Sequence, residues 1–302
     1  MGSSLFLTMY KNIVPKKIKN RITMLRNAGG LDTIRKKILR LYDSPEKDLD
    51  GEIKAVLTFL KKNPLKLFPY RFPDRYKAST VKVYTDVSNQ MMYVLHENKR
   101  LYFKRSWSKK DIRENYNNLR IEQDENSPHR YLNEGFKLAP FSIVADVGAA
   151  EGIFALSVIE EAESIFIFES DTEWIEALRE TFKPWSSKVT IINKYVSDID
   201  NEHNITLDDF AKNNNIRFDF IKIDVDGVEH LLLKGAIKTL SNSVRLKIVI
   251  CTYHKAEDEK LFSRILNDFS FSVAHSDGYM IFYYDSTLSA PFLRRGVLRA
   301  NK

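Results

Sequence analysis

The chain has 302 residues, of which 43% are hydrophobic and 29% charged, with a net charge of +7. That is a globular composition, long enough for one large domain and an appendage. A lone cysteine, Cys251, excludes an intrachain disulfide, and no apolar run approaches the roughly 20 residues that span a bilayer, so an integral membrane protein is excluded.

Nothing at the N-terminus reads as a signal peptide, and Phe6 stands where a myristoylation signal wants Ser or Thr. The expected compartment is a reducing cytoplasm. Positive charge gathers in residues 11–40 and at Arg294, Arg295, Arg299 and Lys302. We read it as solvated helix faces and a basic C-terminal tail. The alternative is attraction to phosphates or to the inner face of an anionic membrane.

In chain order, residues 1–65 carry Ile18, Ile22 and Leu25, then Ile34, Ile38 and Leu41, at helical spacing around the loop 27–30. Two or three amphipathic helices are expected there. Residues 66–135 change grammar: 81–84, 92–95 and 100–103 are rich in aromatic and β-branched residues between polar turns, which predicts a small β-hairpin or meander, followed by a connecting helix or linker. From residue 136 strands and helices alternate. Strands are expected over 143–147, 164–168, 189–196, 218–225 and 246–252, with helices from Ile153 and Thr172 and over 228–240 and 257–269. This alternation predicts a doubly wound parallel sheet. Residues 271–274 and 279–283 are joined too tightly for a crossover helix, which predicts an antiparallel closing hairpin.

Chemistry concentrates where strands end. Asp146-Val-Gly-Ala-Ala-Glu-Gly152 follows the first parallel strand, where glycines let backbone approach a ligand closely. Glu169 ends the second strand, where a carboxylate can accept both ribose hydroxyls of NAD or of S-adenosylmethionine. Ser170 and Asp171 suit a helix cap. Asp198 follows the third strand, where it can contact an adenine amino group or simply form a turn. The stretch IKIDVDGVEH then drives Asp224, Asp226 and Glu229 through an apolar strand end. With residues two apart sharing a strand face, all three are expected to face the ligand crevice without being deeply buried. Clustered carboxylates can act as a general base, accept substrate hydroxyls or ligate a hard cation, or they can merely cap the next helix. His254 ends the fifth strand and can accept a proton near neutrality. Cys251, in the same strand, reads as core packing.

These motifs in order, DVGAAEG, FIFES, INKYVSD, TLDDF, FDFIKIDVDGVEHLLLKGA and ICTYHKAED, resemble the FkbM family of S-adenosylmethionine-dependent methyltransferases over residues 143–283. The resemblance implies an α/β class I methyltransferase fold, a Rossmann-like seven-stranded sheet with an antiparallel last strand. It implies O-methylation of a sugar, glycan or secondary metabolite, as in polysaccharide biosynthesis. By position, Asp146, Gly148, Ala149, Glu151 and Gly152 would hold the methionine end of the cofactor, Glu169 and Ser170 the ribose, and Asp198 the adenine. Asp224 would contact both cofactor and acceptor. Asp224, Asp226 or His254 would take the acceptor's proton, and Glu229 would orient the sugar or a divalent metal ion. Ala150 stands where many methyltransferases carry a glycine, and Asp226 where the family usually carries Glu.

His129 and Arg130, in Ser127-Pro-His-Arg-Tyr131, read either as a linker or as a cover over the substrate. A nicotinamide-dependent oxidoreductase is disfavoured because the turn lacks G-x-G-x-x-G. An RNA-binding methyltransferase is disfavoured because no stacking platform accompanies the basic residues, and no DNA partner is expected. The N-terminal helices could cover the substrate, form a homodimer, or dock on a glycosyltransferase or a membrane.

Overall fold

The computed structural model describes residues 29–43, 49–225, 227–285 and 287–302. The expected helix around Ile18 to Leu25 lies outside them. Helix α1, Gly30–Tyr42, starts after Gly29, whose φ of 64° suits glycine, and α2, Gly51–Lys62, starts where Asp50 accepts the Ile53 N–H at 2.7 Å. Their apolar faces (Ile38; Val56, Leu57, Phe59 and Leu60) bury against Ile281, Tyr283 and Leu293 near the C-terminus.

The middle region is the expected meander: β1, Tyr84–Thr85, β2, Met92–His96, and β3, Lys99–Tyr102, pair antiparallel in that order. Helix α3, Lys109–Glu122, comes next in the chain, opened by a reciprocal Ser108/Asp111 capping box. Phe103, Trp107 and Leu138 share one apolar cluster with Val144, Ile167 and Trp174 of the large sheet and its helices, so the boundary expected near residue 135 is not a packing boundary.

The parallel part of the sheet follows the expected strands, with shorter elements. In chain order it contains β4, Ser142–Val147; α4, Ile153–Val158; β5, Ala162–Phe168; α5, Thr172–Phe182; and β6, Val189–Ile192. A small pair, β7, Tyr195–Val196, and β8, Asn204–Ile205, precedes α6, Leu207–Asn213. Then come β9, Phe220–Ile223; α7, Glu229–Lys234; α8, Ile237–Asn242; β10, Lys247–Cys251; α9, Asp258–Asp268; β11, Ser272–His275; and β12, Val297–Asn301. The seven-stranded order is β11-β12-β10-β9-β4-β5-β6, with β12 antiparallel to both neighbours. Neighbouring residues such as Val144 and Ala145 enter separate apolar clusters, as a strand buried on both faces requires. Strand order reverses between β4 and β9, the place where open α/β sheets hold their ligands.

Two expectations fail at the C-terminus. Residues 279–283 make no strand: Ile281 donates its N–H to Leu67 O, Met280 makes only an isolated bridge to Arg294, and Tyr279 and Tyr283 face the N-terminal helices. The antiparallel strand is β12, inside the supposed basic tail. Arg294 and Arg299 are buried, Arg295 pairs with Glu52, and Lys302 Nζ donates to Leu240 O. These cations are tied to the protein rather than offered to a polyanion. Among the described residues, no helix is long and apolar enough to cross a membrane.

Candidate active site

The turn after β4 is pinned from three sides. Gly148 has φ +74°, and a Cβ there would lie 2.0 Å from Asp224 O, so only glycine lets the turn press against the end of β9. A Cβ on Gly152, φ +81°, would meet Leu178 and Phe182 of α5 at 2.8 Å. Both glycines are therefore required by protein contacts. Between them Ala149 and Glu151 are buried, and Ala150, at φ 53°, donates its N–H to Glu169 Oε2 at 2.6 Å.

Glu169 directly follows β5 at 2% exposure, and its Oε1 accepts the Asp171 N–H at 2.8 Å. Asp171 caps α5, accepting from Glu173 N, while Ser170 is half-buried between them. Each Glu169 oxygen accepts one N–H where a carboxylate oxygen can accept two, so the pair retains capacity for a diol. Asp198 is exposed just beyond β7.

Asp146, expected at the methionine end of the cofactor, lies beneath the turn. It is fully buried, with Oδ1 3.1 Å from Lys222 Nζ and Oδ2 accepting the Ala155 N–H. Lys222 also donates to Gly148 O at 2.7 Å. Burial alone would lower the lysine's pKa, but Asp146 and Asp224 outweigh it and the pKa rises. The ion pair locks the turn from beneath. Lys222 went unremarked in the sequence, although a lysine inside an apolar strand is itself a signal that a carboxylate waits there.

Beside this pair lie the carboxylates of IKIDVDGVEH. The strand stops at Ile223, so Asp224 already stands beyond it and strand alternation does not govern the residues after it. Asp226 lies outside the described residues. Asp224 and Glu229 are buried rather than merely facing the crevice, Glu229 completely. Asp224 Oδ2 accepts the Tyr131 hydroxyl at 2.7 Å and Oδ1 the Tyr253 hydroxyl at 3.3 Å, with His129 Nε2 and His254 Nε2 each 3.9 Å away. Burial pushes the Asp224 pKa up, but Lys222, His129, His254 and Tyr131 prevail and hold it well below the usual carboxylate range. Glu229, first residue of α7, lies with Oε1 2.8 Å from His254 Nδ1 and 3.3 Å from the Val225 N–H it accepts. Its Oε2 accepts no hydrogen bond among the described residues.

The His254 ring rests on Tyr253, centroids 4.2 Å apart, with Phe282 at its edge. Arg294 donates to the carbonyls of Tyr253 and His254 and pairs with Asp285, fixing that loop. His129 reaches the cluster from the upstream segment and is 1% exposed; burial pushes its pKa down to about 4. Arg130 stays outside, its carbonyl accepting from Arg299. Cys251 lies 3.8 Å from His129 Nε2, fully buried, and burial raises its thiol pKa well above the ordinary value, which suits core packing. Tyr131 and Tyr253 were missed, because neither sits in a local pattern that announces its carboxylate partner.

A family model for the methyltransferase FkbM domain matches residues 97–280. Among solved structures the chain is similar to a methyltransferase FkbM from Methylobacillus flagellatus KT, at 15% identity over 92% of this chain and 60% of that one, with a TM-score of 0.47. It is also similar to Trm5b from Pyrococcus abyssi, at 15% identity over 73% and 61% of the two chains, TM-score 0.41. A third is precorrin-6y C5,15-methyltransferase from Geobacter metallireducens GS-15, at 11% identity over 55% and 82%, TM-score 0.39. The chain thus spans 60% of the length of the first of these structures. No curated protein sequence matches it.

Proposed function

The chain belongs to the FkbM methyltransferase family, and from that premise we propose that it is an S-adenosylmethionine-dependent O-methyltransferase acting on a hydroxyl of a sugar, glycan or secondary metabolite. Family membership sets the oxidoreductase alternative aside. The residues present fit the cofactor: Glu169 keeps acceptor capacity for two ribose hydroxyls, beside a turn pinned by Gly148 and Gly152. Ala149, Glu151 and Ser170 would line the same edge, and exposed Asp198 would meet the adenine. When bound, S-adenosylmethionine supplies a methyl carbon on a sulfonium, open to in-line attack by oxygen.

The observation that carries the reading is that Asp224 and His254, from the ends of adjacent strands, come within 3.9 Å of each other beside the turn. An alcohol is a weak nucleophile until it loses its proton, and that proton leaves at the cluster of Asp224, Glu229 and His254. Asp224, held as an anion, orients the acceptor by taking a hydrogen bond and is too weak a base to take the proton itself. Glu229 sets the ring of His254 through the 2.8 Å contact to Nδ1.

Incubation with S-adenosylmethionine labelled in its methyl group, and a panel of hydroxylated acceptors, tests this. Label should appear on oxygen, and Asp224→Asn and His254→Gln should each lose about 10²–10⁴ of the rate, the His254 variant while binding the cofactor as before. Label found only on nitrogen or carbon, or variants as active as the parent, would overturn the assignment.

A further inference from the structure

We propose that Asp224, Glu229 and His254 form a binding site for one divalent cation of the manganese or zinc kind, on which the acceptor hydroxyl is ionised. This rests on the methyltransferase reading and deepens it, by stating how the hydroxyl loses its proton.

The three residues meet at one point. One donor atom from each lies within 4.8 Å of the other two. An ion bonded at about 2.1 Å keeps its donors between about 3 Å and 4.2 Å apart, so the side chains need to close only slightly. They come from three places, the end of β9, the start of α7 and the end of β10, and each is already held. Tyr131 secures Asp224 through Oδ2, Val225 N–H secures Glu229 through Oε1, and Arg294 fixes the backbone carbonyl of His254.

A second observation points to a ligand. Glu229 is fully buried, yet Oε2 accepts no hydrogen bond among the described residues. A buried carboxylate oxygen left that way is costly, since desolvation is not repaid by a donor. Its neighbour across the cluster, Asp224, is a second anion, and the nearby lysine, Lys222, is engaged by Asp146 and the carbonyl of Gly148. A divalent ion answers both facts, bonding the open oxygen and neutralising two carboxylates.

The donor set selects the ion. Two carboxylates with an imidazole suit manganese, iron or zinc better than magnesium, which prefers oxygen alone. Three protein ligands leave positions open for a hydroxyl oxygen. Coordination lowers the hydroxyl's pKa, its proton passes to water, and the oxygen keeps the electron pair. His254 then serves as a ligand.

The test uses the full chain, stripped with a chelator and titrated calorimetrically first with Mn²⁺, then with Zn²⁺. S-adenosylmethionine binding and thermal unfolding are followed on the same preparation. We expect one ion per chain, and Glu229→Gln and His254→Gln each to weaken it by more than about tenfold, the least that changes around a metal ligand cause. Both variants should remain folded and keep the cofactor. Failure of the folded, cofactor-binding chain to take up either ion overturns the proposal and leaves the methyltransferase reading standing. Uptake that survives both substitutions also overturns it, since the ion would then sit on surface carboxylates.

Discussion

Two groups of buried charge lie side by side at the carboxyl edge of the sheet. In the first, Lys222 and Asp146 form one cation and one anion, and the lysine's remaining donor capacity goes to the carbonyls of Gly148 and Val147. In the second, Asp224 and Glu229 bring two carboxylates together with the imidazole of His254, and one Glu229 oxygen accepts no hydrogen bond among the described residues. The first group balances and holds the turn in place. The second carries surplus negative charge, which a folded chain tolerates where a substrate or an ion is to be received. Balance, rather than burial, distinguishes the charge that holds the turn from the charge we propose to be functional.

Breaking the balanced group should have the largest effect on stability. Lys222→Met leaves Asp146 buried without its cation and should cost about 3–5 kcal/mol, read as a fall in the urea midpoint. A loss below about 1 kcal/mol, by the same scale, would mean that the pair does not hold the turn.

The pH dependence of stability sharpens the contrast. His129 has its pKa depressed from 6.5 to about 4, so between those values the unfolded chain binds a proton that the folded chain does not. Its contribution is present above pH 6.5 and is lost as pH falls toward 4, about 3 kcal/mol in all. Asp258 does the reverse. Burial and Glu229 raise its pKa from 3.8 to about 6, so the folded chain holds a proton there and stability declines as pH rises through that window. The two slopes oppose each other between pH 4 and 6. Asp258→Asn should therefore expose a stability that falls steadily as pH drops from 6.5 to 4, measured by denaturant titration of metal-stripped protein. An unchanged slope in that variant would contradict the assignment.

Tyr131→Phe removes one donor from Asp224 and should cost about 1.5–3 kcal/mol, the range for a hydrogen bond to a charged group. Glu229→Gln should have the smallest effect on stability of the four, within about 1 kcal/mol, because it removes surplus charge. Yet turnover should fall by about 10² or more. A variant that is both stable and fully active would erase the distinction between the two groups.

The sequence reveals the sheet well, because parallel strands and their helices announce themselves by apolar runs and period changes. It places β4, β5, β9 and β10 and the residues at their ends. It fails where a contact depends on distant partners. Strand β12 is hidden because Arg299 interrupts its apolar run, and that arginine is buried only because its guanidinium donates to the carbonyls of Arg130 and Tyr131. The aromatic run 279–283 looks more like a strand, but Tyr279, Ile281 and Tyr283 pack with α1 and α2, while Met280 and Phe282 join the cluster beneath the sheet. In the candidate site, spacing leads one to expect Asp224, Glu229 and His254 at one edge, where the structure brings them together, and the lysine inside IKIDVDGVEH could have been read as a partner for Asp146. Tyr131 could not have been found, since 93 residues separate it from Asp224.

Calorimetric titration of the purified chain with S-adenosylmethionine, beside a Glu169→Ala variant shown to be folded, tests the central claim most directly. Micromolar binding by the parent and its loss in the variant is the predicted result. A folded parent that binds no S-adenosylmethionine, or a variant that binds as tightly as the parent, would contradict it.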